Sequence, residues 1–188
     1  MGTSTRPKLV HDADLEAGVQ AITRLWPSRF EQRLRRHIVT GISLSETAYA
    51  HVSSTENRVA IAIYTAFATA LDDPEIFESV GAQDFCRRIV KDTIRSDSGF
   101  LGLFAKAVAD VQDFYSPFSA SNIVMSTLQF VQGEMISNCP DNNNFVRSDT
   151  KEFLDYVRNL NGDGEAYAAF VWSKADFPGH NSFVRTFP

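Results

Sequence analysis

Cysteine is almost missing from this 188-residue chain: Cys86 and Cys139 are too few and too far apart for a disulfide framework or a zinc site. Reduced thiols, and with them a cytoplasmic location, are the expectation. A surplus of cations is missing too. Lys and Arg number 18 against 23 Asp and Glu, a net charge of −5, whereas nucleic-acid binding needs a cationic face. The four cations that do gather, Arg87, Arg88, Lys91 and Arg95, have the spacing of one solvated side of a short helix. No apolar run approaches the roughly 18 residues of a membrane span. The opening residues Met1 to Val10 hold no signal-peptide core, and Arg6 stands where a myristoylation signal needs Ser or Thr. Strand-like alternation and fixed-period repeats are absent from the pattern. The histidines His11, His37, His51 and His180 lack ligand spacing and are assigned no role.

What remains is helix after helix, with 44% hydrophobic residues and 15 phenylalanines. Aromatic-rich helical proteins either enclose an apolar cavity or pack a large core with Phe, and composition leaves both open. Residues 1–11 read as a flexible tail ahead of a single helical domain over 12–188. Asp12 to Trp26 reads as a first helix ended by Pro27, and Ser28 to Gly41 as a second. Two capping boxes are expected, at Ser43–Glu46 and Ser53–Glu56. The helix opened by Ser53 is apolar nearly all round (Val59, Ile61, Ile63, Tyr64, Phe67, Leu71) and must be buried on most sides. Asp72-Asp73-Pro74 stops it, because proline disfavours helical geometry in the residue before it. Weaker helices are expected at about Asp84–Arg95 and Phe100–Tyr115. Ser119 to Asn138 is stronger, with Val124, Leu128, Val131 and Met135 as its apolar stripe. A polar loop from Cys139 to Asn144 precedes a helix capped by Asp149 and Glu152, and the pattern resumes from Ala166 to Trp172. The fold class is all-α.

Asp72-Asp73 stands out on physical grounds. Two adjacent carboxylates at the end of a buried helix sit at its negative pole, which costs stability unless a cation neutralises them. Hard oxygen ligands suit Mg²⁺, which commonly bridges carboxylates and substrate phosphates. The plainer alternative is a polar turn that closes a helix.

Three segments then carry a resemblance. Tyr64-Thr-Ala-Phe-Ala-Thr-Ala-Leu-Asp-Asp73 looks like the helix and aspartate-rich motif of trichodiene-synthase-like class I terpene cyclases. Ser126-Thr-Leu-Gln-Phe-Val-Gln-Gly133 is similar to that family's Ser-Thr-Leu-Asp-Phe-Phe-Glu-Gly segment. Arg158-Asn-Leu-Asn-Gly162, running on through Trp172 and Lys174 to Phe177, follows the family pattern without a gap. The order and separations agree, and the likeness spans the chain from about Arg33 onward.

The resemblance implies a class I isoprenoid-synthase-like helical bundle that ionises farnesyl diphosphate with Mg²⁺ and cyclises the resulting carbocation to a sesquiterpene. It makes Asp72 a metal ligand and a catalytic residue. Asp73 is the second aspartate, which more often pairs with a cation. The family's third acidic residue falls at Ile76, leaving Glu75 or Glu78 to replace it. Arg158 is implied to grip the diphosphate, with Asn161 and Gly162 as the linker and effector positions behind it. A guanidinium suits that task because its fork of donors fits phosphate oxygens. Phe67, one to two turns before Asp72, either shields a carbocation or is ordinary core.

The same resemblance implies a second metal motif of the Asn-Asp-x-x-Ser-x-x-x-Glu type on a later helix, and none occurs before Pro188. The expectation is a bundle truncated before that helix, weakly active or inactive. Diphosphate departure needs dense cationic stabilisation, and a half-open cavity admits water that quenches carbocations. The competing reading is a non-catalytic helical binding protein that keeps the cyclase scaffold. It would pair, as a homodimer for instance, through the apolar face left where further helices would pack.

Overall fold

Central to the fold is one helix that is buried along most of its length. A computed structural model of the chain describes residues 11–94, 99–138, 151–161 and 164–178. That helix is α3 (Thr55–Leu71), and the unbroken run Ile61 to Ala68 is buried along it. The other elements follow from what each can lay against it. Among the described residues every regular element is helical.

α1 (Ala13–Thr23) starts at Asp12, whose carboxylate accepts from the Asp14 and Leu15 amides at 3.1 and 3.0 Å. It turns Leu15 and Val19 inward. Gly18 meets Val59 of α3 so closely that an added Cβ would lie 2.6 Å from the Val59 Cγ2. Residues 1–10 of the expected tail lie outside the described residues. His11 is held, with Nε2 3.1 Å from Glu16 and Nδ1 3.3 Å from Glu46.

α2 (Ser28–Thr47) departs from the expected stop at Gly41 and runs on through the first expected capping box. Leu34, His37, Gly41 and Ser45 are its buried residues, spaced as one helical face. Gly41 is where that face crosses α3: a Cβ there would stand 2.2 Å from the Ala62 carbonyl oxygen. The glycine permits close approach and does not end the helix. Ser45 donates to the Arg58 carbonyl at 3.1 Å, and Glu46 of the expected box accepts from the Asp12 amide at 2.9 Å, a tertiary contact in place of a cap. In place of the second expected box, Ser53–Glu56, stands a simple N-cap one residue later. Ser54 caps α3, accepting from the Asn57 amide at 3.1 Å, and its hydroxyl donates to Glu56 at 3.0 Å.

After α3 come α4 (Pro74–Ser79), a 3-10 turn (Ala82–Asp84) and α5 (Phe85–Val90). α5 ends before the expected Arg95, which lies outside the described residues. α6 (Phe100–Gln112) packs on α3 and α7. Its Phe104 stacks on Phe85 with ring centroids 5.0 Å apart and tilts against Phe67 at 5.8 Å. These rings build core, each fully buried one contributing on the order of 1.5–3 kcal/mol.

α7 (Pro117–Asn138) bears out three residues of the expected stripe, Val131 being buried and Val124 and Leu128 packed against the core, and widens it. The buried side is Ile123, Ser126, Thr127, Phe130, Val131, Gly133 and Glu134, while Met135 is 36% exposed. Polar interior contacts widen the face. Thr127 lies 2.8 Å from the Tyr64 hydroxyl, and Ser126 accepts from the Ala166 amide at 3.3 Å. α8 (Lys151–Asn161) and α9 (Gly164–Phe170) both pack on α7. The expected cap Asp149 lies outside the described residues. Tyr115 closes the bundle by donating to Asn57 at 3.0 Å and lying 3.2 Å from the Phe170 carbonyl. The large apolar side chains most exposed (Leu25, Val39, Val90, Met125) lie on separate parts of the surface scaffold: the α1–α2 turn, α2, α5 and α7. Among the described residues no helix is long and apolar enough to cross a membrane.

Candidate active site

The Asp72-Asp73-Pro74 turn divides two carboxylates between two helices. Asp72 caps the C-terminus of α3, its amide 3.3 Å from the Ala68 carbonyl. Its charge therefore sits at the unfavourable pole of the most buried helix. Asp73 begins α4: its Oδ1 accepts from the Glu75 and Ile76 amides at 2.9 and 3.4 Å, and Pro74 takes the first helical position. The backbone beyond Pro74 is thus helical.

The electrostatics follow from that division. The Asp72 oxygens reach solvent, yet the surrounding protein desolvates the carboxylate and raises its pKa. Desolvation pulls the same way at Asp73. There the two amides and the Arg36 guanidinium, which pairs with Oδ2, together outweigh it and lower the pKa. Arg36, Thr69, Asp72, Asp73, Pro74 and Glu75 line an open basin of about 800 Å³.

A third carboxylate comes from α7. Glu134 is only 6% exposed and accepts from the Asn138 side-chain amide at 3.1 Å. Burial raises its pKa, and the charge of Asp72 raises it further. The level agrees with the backbone. Tyr64 and Thr127 touch, Asp72 follows the first by eight residues and Glu134 follows the second by seven. Those are helix rises of roughly 12 and 10.5 Å.

Of the expected third ligands, Glu75 lies on the basin and Ile76 is buried at 3% exposure. Glu78 is exposed and does not line the basin. Phe67 is not brought together with Asp72. It lines a separate cavity of about 610 Å³ between α1, α3 and α6, with Trp26 5.0 Å and Phe100 5.1 Å from its ring centroid. Arg158 is an exposed residue of α8. Asn161 ends that helix, and its side chain and Gly162 lie outside the described residues.

A family model described as trichodiene synthase (TRI5) matches residues 16–187. The chain belongs to the trichodiene synthase family. It is 37% identical over 182 residues to Monoterpene synthase 25 of Postia placenta, covering 97% of this chain and 54% of that protein. It is 38% identical over 177 residues to Terpene synthase 29 of the same fungus, covering 94% and 51%. With Alpha-cuprenene synthase COP6 of Coprinopsis cinerea it shares 26% over 155 residues, 82% of this chain and 46% of that one. The chain spans about half the length of these curated relatives.

Terpene synthases use divalent metal ions. Among the described residues no three His, Cys, Asp or Glu side chains converge as a ready cluster. The donors present nonetheless fit a magnesium ion shared with a substrate: it needs one or two carboxylates and takes its other oxygens from phosphates and water. Asp72 and Glu134 are desolvated carboxylates of like charge, which a cation between them would relieve.

Sequence reasoning in this trichodiene synthase family member missed Glu134 and Arg36. Glu134 left one signal, a carboxylate two turns beyond Thr127 on a largely apolar helix. Arg36 left none, since its partner lies 37 residues away.

Proposed function

We propose that this chain supplies the aspartate-rich side of a Mg²⁺-dependent class I terpene cyclase acting on farnesyl diphosphate. The observation that carries it is the pair of adjacent carboxylates, Asp72 and Asp73, which opens with Glu75 on one basin at the end of the buried α3 in a trichodiene synthase family member. Bound there with Glu75 at the basin edge, Mg²⁺ would supply positive charge to the departing diphosphate. The chain's own part is position. Asp73 is neutralised by Arg36 and fixes the start of α4, whereas Asp72 has no cation partner among the described residues.

Arg158 is the proposed diphosphate donor, with Asn161 and Gly162 behind it. Ala166 is tied to Ser126 on α7, and Glu134 lies eight residues beyond Ser126. α8, which carries Arg158 near its C-terminal end, packs on α7, the helix of Glu134, which supports the assignment. In the reaction the allylic C–O bond breaks, diphosphate departs with the electron pair and the hydrocarbon cation cyclises. Phe67, in the aromatic core, is given no part in that step.

A ten-carbon prenyl diphosphate is the second substrate reading, favoured by the name Monoterpene synthase 25 on a 37% identical relative. The experiment is incubation with Mg²⁺ and each diphosphate, volatile products being read by gas chromatography. A product from one substrate that disappears in Asp72→Asn and Arg158→Ala supports the reading. Thermal melting with Mg²⁺ and inorganic pyrophosphate tests the binding half alone, and an unchanged melting temperature would sink the proposal.

A further inference from the structure

One buried titratable group takes no part in the site as described so far. His37 on α2 is 8% exposed and lies behind the basin, where its two ring nitrogens meet different partners. Nε2 is 3.0 Å from the Nε of Arg36. A guanidinium has only donors, so Nε2 must be the accepting, unprotonated nitrogen. Nδ1 then carries the proton and donates to Thr69 Oγ1 at 3.2 Å. The Thr69 hydroxyl donates in turn to the Thr65 carbonyl at 2.9 Å. Every donor in this chain has an acceptor, and only the neutral Nδ1–H tautomer satisfies all of them.

The chain ends on the basin. Arg36 has its Nε held by the imidazole and its outer nitrogen on Asp73 Oδ2, while Asp73 Oδ1 holds the first amides of α4. The Arg36 side chain is 68% exposed. A long exposed arginine keeps one rotamer only when something fixes it, because its side-chain entropy otherwise disperses it. The imidazole is that fixture.

We infer that His37 is a positioning residue of the proposed diphosphate site: its Nε2 acceptor aims Arg36 at Asp73, so that Asp73 is neutralised and Asp72, not Asp73, is the member of the pair that faces the incoming metal and phosphate. The inference rests on the reading of the basin as a magnesium–diphosphate site. The relay itself, from Thr65 to Asp73, stands on the geometry of α2, α3 and α4. Burial also holds the imidazole neutral, its pKa lowered first by desolvation and then by Arg36.

Two measurements test it. Nitrogen-15 NMR of the histidine rings reads the tautomer directly. Nε2 of His37 is expected to be unprotonated, with its resonance moved by Arg36→Ala. An Nε2–H tautomer, or a resonance indifferent to Arg36→Ala, overturns the relay. Titration calorimetry with Mg²⁺ and inorganic pyrophosphate then reads its use in His37→Leu, His37→Gln, Arg36→Ala and the double variant. His37→Leu should weaken binding about fivefold, the worth of one hydrogen bond. His37→Gln, whose amide oxygen can accept in place of Nε2, should restore it. In the Arg36→Ala background His37→Leu should have no further effect. Additive losses, or no loss at all in His37→Leu, would show that the imidazole does not act through Arg36. If the unaltered protein binds no magnesium pyrophosphate, the proposed function fails, and the NMR result still decides the relay.

Discussion

The hydroxyls of Tyr64 on α3 and Thr127 on α7 lie 2.8 Å apart inside the bundle, and this contact sets the level of the two helices that carry Asp72 and Glu134. Thr127 also donates to the Ile123 carbonyl at 2.7 Å, so its own hydroxyl stays satisfied if Tyr64 loses its oxygen. Tyr64→Phe should therefore cost at least the net worth of one buried hydrogen bond, about 1 kcal/mol. For a chain of this size that is a fall in melting temperature of roughly 2–4 °C. Differential scanning calorimetry measures it, and an unchanged value would mean that α3 and α7 are aligned by packing alone.

Glu134→Gln should move stability the other way. Both Glu134 and Asp72 have folded-state pKa values raised by desolvation, with their mutual repulsion added at Glu134. A carboxylate whose folded pKa is raised destabilises the fold at pH above that value, and stability returns as pH falls through it. Removing the Glu134 charge should raise the melting temperature at neutral pH by a few degrees, about 1 kcal/mol, in cation-free buffer. The same variant should respond less to added Mg²⁺ with pyrophosphate. A drop in melting temperature without cations would contradict the repulsion.

His37 supplies the pH dependence of opposite sign. Its folded pKa is lowered by burial, then by Arg36, against a smaller opposing pull from Asp73. Between the unfolded value of about 6.5 and the lower folded value, the unfolded chain binds a proton that the folded chain refuses. Stability should fall as pH drops through that window. Urea denaturation at a series of pH values from neutral downward measures it, and His37→Gln should flatten the profile there.

Gly41 and Gly164 make a paired prediction. A Cβ at Gly41 would stand 2.2 Å from the Ala62 carbonyl, backbone against backbone, whereas one at Gly164 meets nothing within 4 Å. Gly41→Ala should destabilise by about 2–4 kcal/mol, because α2 must lift off α3. Gly164→Ala should be neutral or stabilise by about 0.5 kcal/mol. Urea midpoints of the two variants check both.

The contrast at Gly41 also shows what could be read in advance. The helical period, the Asp-Asp-Pro stop and the apolar character of α3 are local, so the all-α class and the placing of Asp72 were legible. A glycine that ends a helix and a glycine that lets two helices touch look alike in one dimension, and Gly41 was misread for that reason. Ser126 and Thr127 lay outside the expected stripe on α7 because interior hydroxyls with partners count as polar in any periodicity. Arg36–Asp73 and Glu134–Asp72 join residues 37 and 62 positions apart. No pattern within one helix marks such pairs, so the basin emerged only when the helices were assembled.

Burial of α3 along most of its length has a consequence for heat inactivation. The run Ile61 to Ala68 is buried, so its amides should exchange with solvent only when the whole fold opens, and Asp72 follows that run by four residues. Loss of ligand binding on warming should then coincide with global unfolding. The site would age as the molecule does, all at once.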